Sequence, residues 1–403
     1  MIAGAGYAGA ALAIALDACL KGEARTALID RNDPRAVAQS RDPRCFAISA
    51  GSKRMLSALG LWPDVEAAAE PVIAIDITDS SLDTVFRSPL LSYDNSLGDG
   101  EAASYIVESQ ALRQAAAAAL SRLRQTTFLA GRSAASFFTD ASGLTVALDD
   151  GETITGGLLI AADGKSSALR EAAGIKSIGW KYGQVGITAI ITHEKPHGGK
   201  AVQHFLPAGP FAILPLKGNR SCITWTEEEK LGRELTNGPE AAFLAAAGKR
   251  FGYRLGELKL EAQRACWPLE LRLARRFVAG RFALVGDAAR AVHPIAGQGL
   301  NLGLRDVAAL AEVVAGAMRL GLEPGSASAL ARYERWRRFD SVASAAMMDG
   351  LNRLFSNDWP LLRTVRDVGL GIVDRAPELK KLFVTEAAGL LGEVPSLLQG
   401  RVP

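Results

Sequence analysis

Gly4-Ala5-Gly6-Tyr7-Ala8-Gly9 is followed at once by the helix-forming run Ala10 to Lys21, and then by Arg25-Thr26-Ala27-Leu28-Ile29-Asp30, which reads as a strand ending in an acid. In such a unit each glycine has a physical task. Gly4 permits the tight turn, Gly6 lets the backbone approach a pyrophosphate, and Gly9 lets the helix pack close to the strand, with Ala8 beside them in the same turn. The phosphates then rest on amides that the first helical turn leaves open. Asp30 lies 21 residues past Gly9, the spacing of a carboxylate that accepts hydrogen bonds from ribose hydroxyls. Alone, the motif is weak, since the chain holds 41 glycines and an alanine-rich helical hairpin with incidental glycines competes with it.

A second motif, Gly286-Asp287-Ala288-Ala289, outweighs that competitor. Arg281 to Val285 reads as a strand that delivers Asp287 to its end, where a carboxylate accepts a hydrogen bond from a sugar-like hydroxyl. The segment Gly297, Gln298, Gly299, Leu300 and Asn301 then opens a helix running to Met318. Its free amides and positive dipole end suit negative charge developing on a bound flavin ring, and Pro294 makes a packing wall against that ring. Together the two motifs point to one FAD laid across one domain.

With 403 residues the chain has room for two or three domains and a large core. Hydrophobic residues at 48% and charged residues at 22% are ordinary for a soluble enzyme, and a net charge of +3 gives no argument for nucleic acid. Cys19, Cys45, Cys222 and Cys266 make no zinc or CxxC spacing and read as reduced, which suits a cytoplasmic compartment. His193, His197, His204 and His293 form no metal motif, so no metal is expected. No run reaches about 18 uncharged apolar residues, so no membrane-crossing helix is expected. Residues 2 to 16 imitate a signal-peptide core, but no basic segment precedes them. Only Met1, Ile2 and Ala3 precede Gly4, whereas a central parallel strand runs about five or six residues; a shortened or misassigned start is the expectation.

The pattern along the chain predicts an α/β fold: a discontinuous Rossmann-like domain with an inserted antiparallel sheet and C-terminal helices. Residues 1–70, 99–178 and 268–330 are assigned to nucleotide binding, 71–98 and 179–267 to a substrate-binding sheet, and 331–403 to a helical region. Strand-like alternation runs from Val72 to Phe86, a helix from Ser109 to Leu123, and a hairpin turns at Asp149-Asp150-Gly151 before the buried parallel strand Leu158 to Ala162. Further strands are read at Val185–Thr192, Ala201–Leu206, Phe211–Leu216 and Ser221–Thr226.

These motifs, with Ala162-Asp163-Gly164-Lys165-Ser166-Ser167-Ala168-Leu169-Arg170, resemble the three fingerprints of class A flavoprotein aromatic hydroxylases, whose type fold is that of para-hydroxybenzoate hydroxylase. The run His293-Pro294-Ile295-Ala296-Gly297-Gln298-Gly299-Leu300-Asn301-Leu302-Gly303-Leu304-Arg305-Asp306 is similar to the ubiquinone-biosynthesis (polyprenylphenol) hydroxylases. So are Leu354 to Asp358, Arg366 to Leu370 and Ala387 to Leu390. The resemblance implies FAD reduced by NAD(P)H as a transient reductant, reaction with O2 to a flavin C4a-hydroperoxide, and transfer of one oxygen to the ring of a polyprenylated phenol. It implies that Asp287 binds the ribityl chain, that Arg44 and Arg113 contact the FAD phosphates or their surroundings, and that Asp163 lies between the flavin and nicotinamide sites. His293 is placed near the flavin, where it tunes the ring or handles the phenol. Arg290 stands where related enzymes often carry histidine or glutamine.

The apolar run Gly209 to Leu216 reads either as pocket wall or as ordinary sheet core. Arg332-Tyr333-Glu334-Arg335-Trp336-Arg337-Arg338 reads as a packed helix with a solvated basic face, or as a surface for the inner face of the membrane, a biosynthetic complex or a homo-oligomer. Hydroxylation of a soluble aromatic, a related reductase or halogenase, and a non-catalytic flavin-bearing component remain the alternatives.

Overall fold

The computed structural model describes residues 1–79, 89–140, 143–261, 263–294, 297–355 and 376–403. Among these, six short strands form one sheet in the order 278–279, 282–284, 159–161, 2–3, 26–30 and 126–130. All neighbours run parallel except 278–279 beside 282–284. The central strands Phe282–Leu284, Leu159–Ala161 and Ile2–Ala3 are buried throughout. They therefore carry unbroken apolar runs, as strands covered on both faces do.

The Tyr7–Cys19 helix begins three residues earlier than the composition indicated and buries 9 of its 13 residues. Its small alanines let it wedge between the sheet and the Gly299–Arg319 helix, sharing their core through Leu12, Leu16, Val307 and Leu310. The expected hairpin is present as 143–148 and 153–156, joined by 134–140 into a small sheet. Phe137 from this sheet stacks on Phe282 with ring centroids 5.0 Å apart.

A second, larger sheet runs in the order 290–291, 265–274, 177–193, 220–228, 209–216, 200–206, 74–79 and 91–94, with 258–260 also paired to 177–193. Three expectations need correction here. The sheet is not wholly antiparallel, because 74–79 pairs in parallel with 200–206 after a long connection. The boundary drawn at 267/268 falls inside the Ala265–Ala274 strand, which stays paired to 177–193 as far as Ala274. The predicted Val72–Phe86 strand is seen as Ala74–Asp79, and residues 80–88 lie outside the described residues.

Two helices that the pattern reading passed over, Glu229–Asn237 and Glu240–Phe251, lie beside this sheet. Phe243 and Phe251 from the second of them pack into one cluster with Phe211, Ile213, Ile223 and Trp225. Phe211 and Ile213 are thus sheet core rather than pocket wall. Leu214 and Leu216, on the opposite face by strand alternation, join Val72, Ile106 and Ile190. The C-terminal part contains the helices Ala327–Phe355 and Pro377–Ala387. The family-like runs at 356–358 and 366–370 lie outside the described residues.

Candidate active site

The three glycine motifs meet at one place. A Cβ on Gly4, whose φ is +100°, would stand 2.4 Å from the Ala162 carbonyl oxygen and 2.9 Å from the Asp163 nitrogen. A Cβ on Gly9 would overlap the Gly4 carbonyl oxygen at 1.8 Å. On Gly286, at φ +60°, it would come within 3.0 Å of the Ala8 methyl. Gly4 and Gly9 are required by contact between backbones, and Gly286 by its positive φ and the Ala8 methyl beside it. Gly6 is different: a Cβ there meets nothing within 4 Å, and the residue is exposed at the start of a helix with no side-chain cap. The space in front of it is available to a ligand, and the open first-turn amides suit an anion.

Carboxylates border this space. Asp30 accepts the Ala5 amide at 2.6 Å and the Asn32 amide at 2.8 Å, which fixes its side chain beside the glycine turn. Asp163 and Asp287 are both open to solvent, yet protein crowds around them, as expected of side chains in a cleft. Burial raises the pKa of each; the Ser167 hydroxyl opposes this at Asp163, and the charges of Arg290, Lys165 and Arg44 oppose it at Asp287.

Arg44 and Arg113 converge on a partner that motif reading missed. Asp42 accepts from Arg44 Nε at 2.9 Å and Nη2 at 2.6 Å, pairs with Arg113, and takes the Ser109 hydroxyl at 2.8 Å. Burial works to raise the Asp42 pKa, but the bonds from Arg44 and Ser109 and the Arg44 charge hold it below the usual value. Arg113 also donates to Tyr7 Oη at 3.2 Å and to Ser40 Oγ at 3.0 Å, so the cluster stands beside the first turn of the Tyr7–Cys19 helix. Both guanidiniums are anchored within the protein and neither is a free phosphate clamp. Arg44 retains the more accessible side chain, and its guanidinium lies 5.3 Å from the Trp267 ring centroid.

The other wall is the 293–301 segment, of which Ile295 and Ala296 lie outside the described residues. The Gly297 amide closes on the Pro294 carbonyl at 3.0 Å, and Gly297 takes a φ of +64°. A Cβ on Gly299 would meet nothing within 4 Å, and its helix has no side-chain cap. Gln298 turns away, its amide reaching the Ala387 carbonyl at 3.4 Å. Leu300 packs its side chain into the core. The Asn301 side chain is committed within the protein: Oδ1 accepts the Ser49 amide at 3.0 Å and Nδ2 donates to the Ala47 carbonyl at 2.8 Å. Its amide clamps the helix to the Cys45–Ser49 strand, leaving any cofactor contact to its backbone. His293 is fully buried, with burial pushing its pKa down to about 4.

Beneath Gly286 lies a charged cluster whose pairing the motifs did not reveal. Asp306, with no exposure, accepts the Gly286 amide at 3.0 Å, Arg290 Nη1 at 2.8 Å and Arg337 Nε at 2.9 Å. Arg290 and Asp306 thereby form a buried ion pair. The nearest sequence signal is that Asp306 shares one helical face with Gly299, Leu302 and Gly303, at i+7, i+4 and i+3 spacing.

The residues fit FAD: a glycine turn open at Gly6, the carboxylates of Asp30, Asp163 and Asp287 bordering the cleft, and an uncapped helix start at Gly299. Fold and cleft together define a flavoprotein of the aromatic-monooxygenase class. A family model described as FAD binding domain matches residues 1–348. Ubiquinone hydroxylase UbiL of Rhodospirillum rubrum is 42% identical over 405 residues, covering 99% of this chain and 92% of that protein. The 3-demethoxyubiquinol 3-hydroxylase of Escherichia coli is 35% identical, covering 96% of this chain and 98% of that one. The p-nitrophenol 4-monooxygenase PnpA of Pseudomonas putida superposes with a TM-score of 0.78 at 18% identity over 97% of this chain and 98% of that one, a likeness of fold. The chain belongs to the FAD binding domain family and, within it, to the ubiquinone-biosynthesis flavin hydroxylases.

Proposed function

We infer that the protein hydroxylates the aromatic ring of a polyprenylated phenol in ubiquinone biosynthesis, using FAD, O2 and NAD(P)H. The observation that carries this reading is the convergence of the three motifs on one cleft, on a chain 42% identical to a ubiquinone hydroxylase over nearly its whole length. Bound FAD supplies the activation of oxygen that delivers one atom to the ring. The protein's part is to hold and shield. The amides in front of Gly6 take the pyrophosphate, Asp30 accepts from the ribose, and Asp287 accepts from the ribityl chain. The Gly299 helix start presents its positive end to the flavin ring, where negative charge accumulates on reduction. Pro294 would pack against the ring and help keep its surroundings apolar.

A prenylated substrate is mostly lipid, so contact with a membrane surface belongs to this reading. No helix among the described residues is long and apolar enough to cross a membrane. The Ala327–Phe355 helix instead exposes Arg332, Arg335 and Arg338 next to Phe339, Val342 and Met347. Tyr333 and Arg337, counted within the same basic-aromatic run, are wholly buried and belong to the core.

The test is the quinone-lipid profile of the source organism with the gene deleted. Accumulation of a prenylated precursor lacking one ring oxygen is the expected result. An unchanged profile, with turnover of short phenols that gains nothing from a prenyl tail, would overturn the lipid assignment in favour of a soluble aromatic.

A further inference from the structure

We propose that a small apolar cavity in the wall of the flavin cleft is a holding site for dioxygen on its way to the reduced flavin. The proposal rests on the reading that the protein consumes O2. The cavity measures about 30 Å³ and is bounded by Tyr7, Ile14, Ile48, Leu112, Ala115 and Leu300 among other apolar side chains. It exists because small residues meet there. Ala11 on the Tyr7–Cys19 helix lines the same space as Ala115 and Ala116 on the Ser109–Leu120 helix, where larger side chains would close the gap.

Its position ties it to the cleft. Tyr7 and Leu300 directly follow Gly6 and Gly299, the two cleft glycines at which a Cβ would meet nothing within 4 Å. Both residues are partly exposed, whereas Ile14, Ile48, Leu112 and Ala115 are buried. The cavity therefore reaches from the core to the wall that carries both helix starts of the flavin site. With FAD and a lipid substrate in the cleft, the shielding that excludes water also obstructs diffusion from solvent. An apolar space within that wall raises the concentration of O2 within reach of the flavin.

The lining selects the occupant. A water molecule needs about 10–15 Å³ and two to four polar partners. The space is sufficient and the partners are not: Tyr7 brings the one polar side chain among the lining residues, and its hydroxyl is engaged by Ser109 Oγ at 2.6 Å and by Arg113 Nε at 3.2 Å. Cavities lined by aliphatic side chains stay dry and take up apolar solutes such as xenon. Dioxygen is an apolar diatomic smaller than xenon, and like other apolar solutes it gains by leaving water.

Crystals of the FAD-loaded protein pressurised with xenon are expected to hold a xenon atom between Ile48, Leu112 and Ala115. A115V, which adds two methyl groups at a buried position away from the flavin-binding residues, should lose it. In stopped flow, with the flavin reduced anaerobically and then mixed with O2, A115V should reoxidise roughly fourfold more slowly than wild type, the partition conferred by taking one methylene-sized group out of water. Its flavin content and its rate of anaerobic reduction should not change. Should A115V fail to fold, A116V is read in the same way. Xenon absent from wild type, or retained in A115V, overturns the cavity as a gas site. Xenon lost from A115V with reoxidation at the wild-type rate overturns its place on the oxygen path. These results leave the reading of O2 use standing, whereas reduced wild type that O2 does not reoxidise overturns that reading and the proposal with it.

Discussion

Gly6 and Gly9 belong to one motif and do opposite things. The Gly9 hydrogen faces the Gly4 carbonyl so closely that any Cβ would overlap it, whereas Gly6 faces open space. G9A should therefore lose several kcal/mol of stability and fail to accumulate as folded protein, because backbone rather than a flexible side chain blocks the methyl. G6A should melt within a degree or two of wild type once flavin is removed, yet bind FAD at least tenfold more weakly. Thermal melts of the stripped proteins and flavin titration separate the two. His293 makes a pH prediction at the same scale. Its pKa falls from 6.5 in the unfolded chain to about 4 in the fold, so between these values the unfolded state binds the extra proton. The associated stability is present above pH 6.5 and is lost as pH falls through about 4. Between pH 7.5 and 5 it amounts to about 2 kcal/mol. Urea midpoints should show that difference reduced in H293F relative to wild type.

Elements are held in register by side chains whose partners the motifs do not reveal. Asp306, within the Gly299–Arg319 helix, joins the Gly286 turn, Arg290 and Arg337 of the next helix in a volume without solvent. Removing one partner of such a cluster leaves like charges buried and uncompensated, at a cost of about 3–5 kcal/mol. D306A is expected to lose that much in urea unfolding and to purify with little flavin, since the Gly286 turn loses its anchor. Asn301 acts similarly, tying the start of its helix to the Cys45–Ser49 strand through two hydrogen bonds. N301A should lose roughly 1–3 kcal/mol, measured in the same way, because it leaves the buried Ser49 amide and Ala47 carbonyl unmet.

Across the whole molecule, the Ala327–Phe355 helix braces both sheets. Tyr333 donates to the Leu284 carbonyl at 2.6 Å in the parallel sheet, and Asp349 and Asn352 bind Tyr182 and Gln184 on the long 177–193 strand. Its outward face is left with arginines followed by Phe339, which is 77% exposed. An anionic bilayer suits that order of charge and apolar surface, each cation near the surface being worth about 1 kcal/mol. Reversing Arg335 and Arg338 to glutamate should lower co-flotation with anionic liposomes by tenfold or more and leave the melting temperature unchanged. Unaltered flotation would remove the membrane from the proposed function.

What the sequence by itself determined is whatever depends on local backbone geometry. Glycine spacing, the acid at the end of the second strand and the Gly286-Asp287 turn together specified a flavin-binding α/β fold, because only certain residues adopt those turns. The parallel strand at Leu159–Ala161 was equally legible, since burial on both faces leaves an unbroken apolar run. Tertiary structure alone decided the partnerships. That Asp42 would gather Arg44 and Arg113, that Asp306 would lie under Gly286, and that the 265–274 strand would remain in the large sheet depend on residues brought together from distant parts of the chain. The parallel pairing of 74–79 with 200–206 is of the same kind. A side chain's charge is written in the sequence, but its partner is chosen by packing. Arg335 and Arg337 illustrate this two residues apart: one faces solvent, and the other is sealed against Asp306.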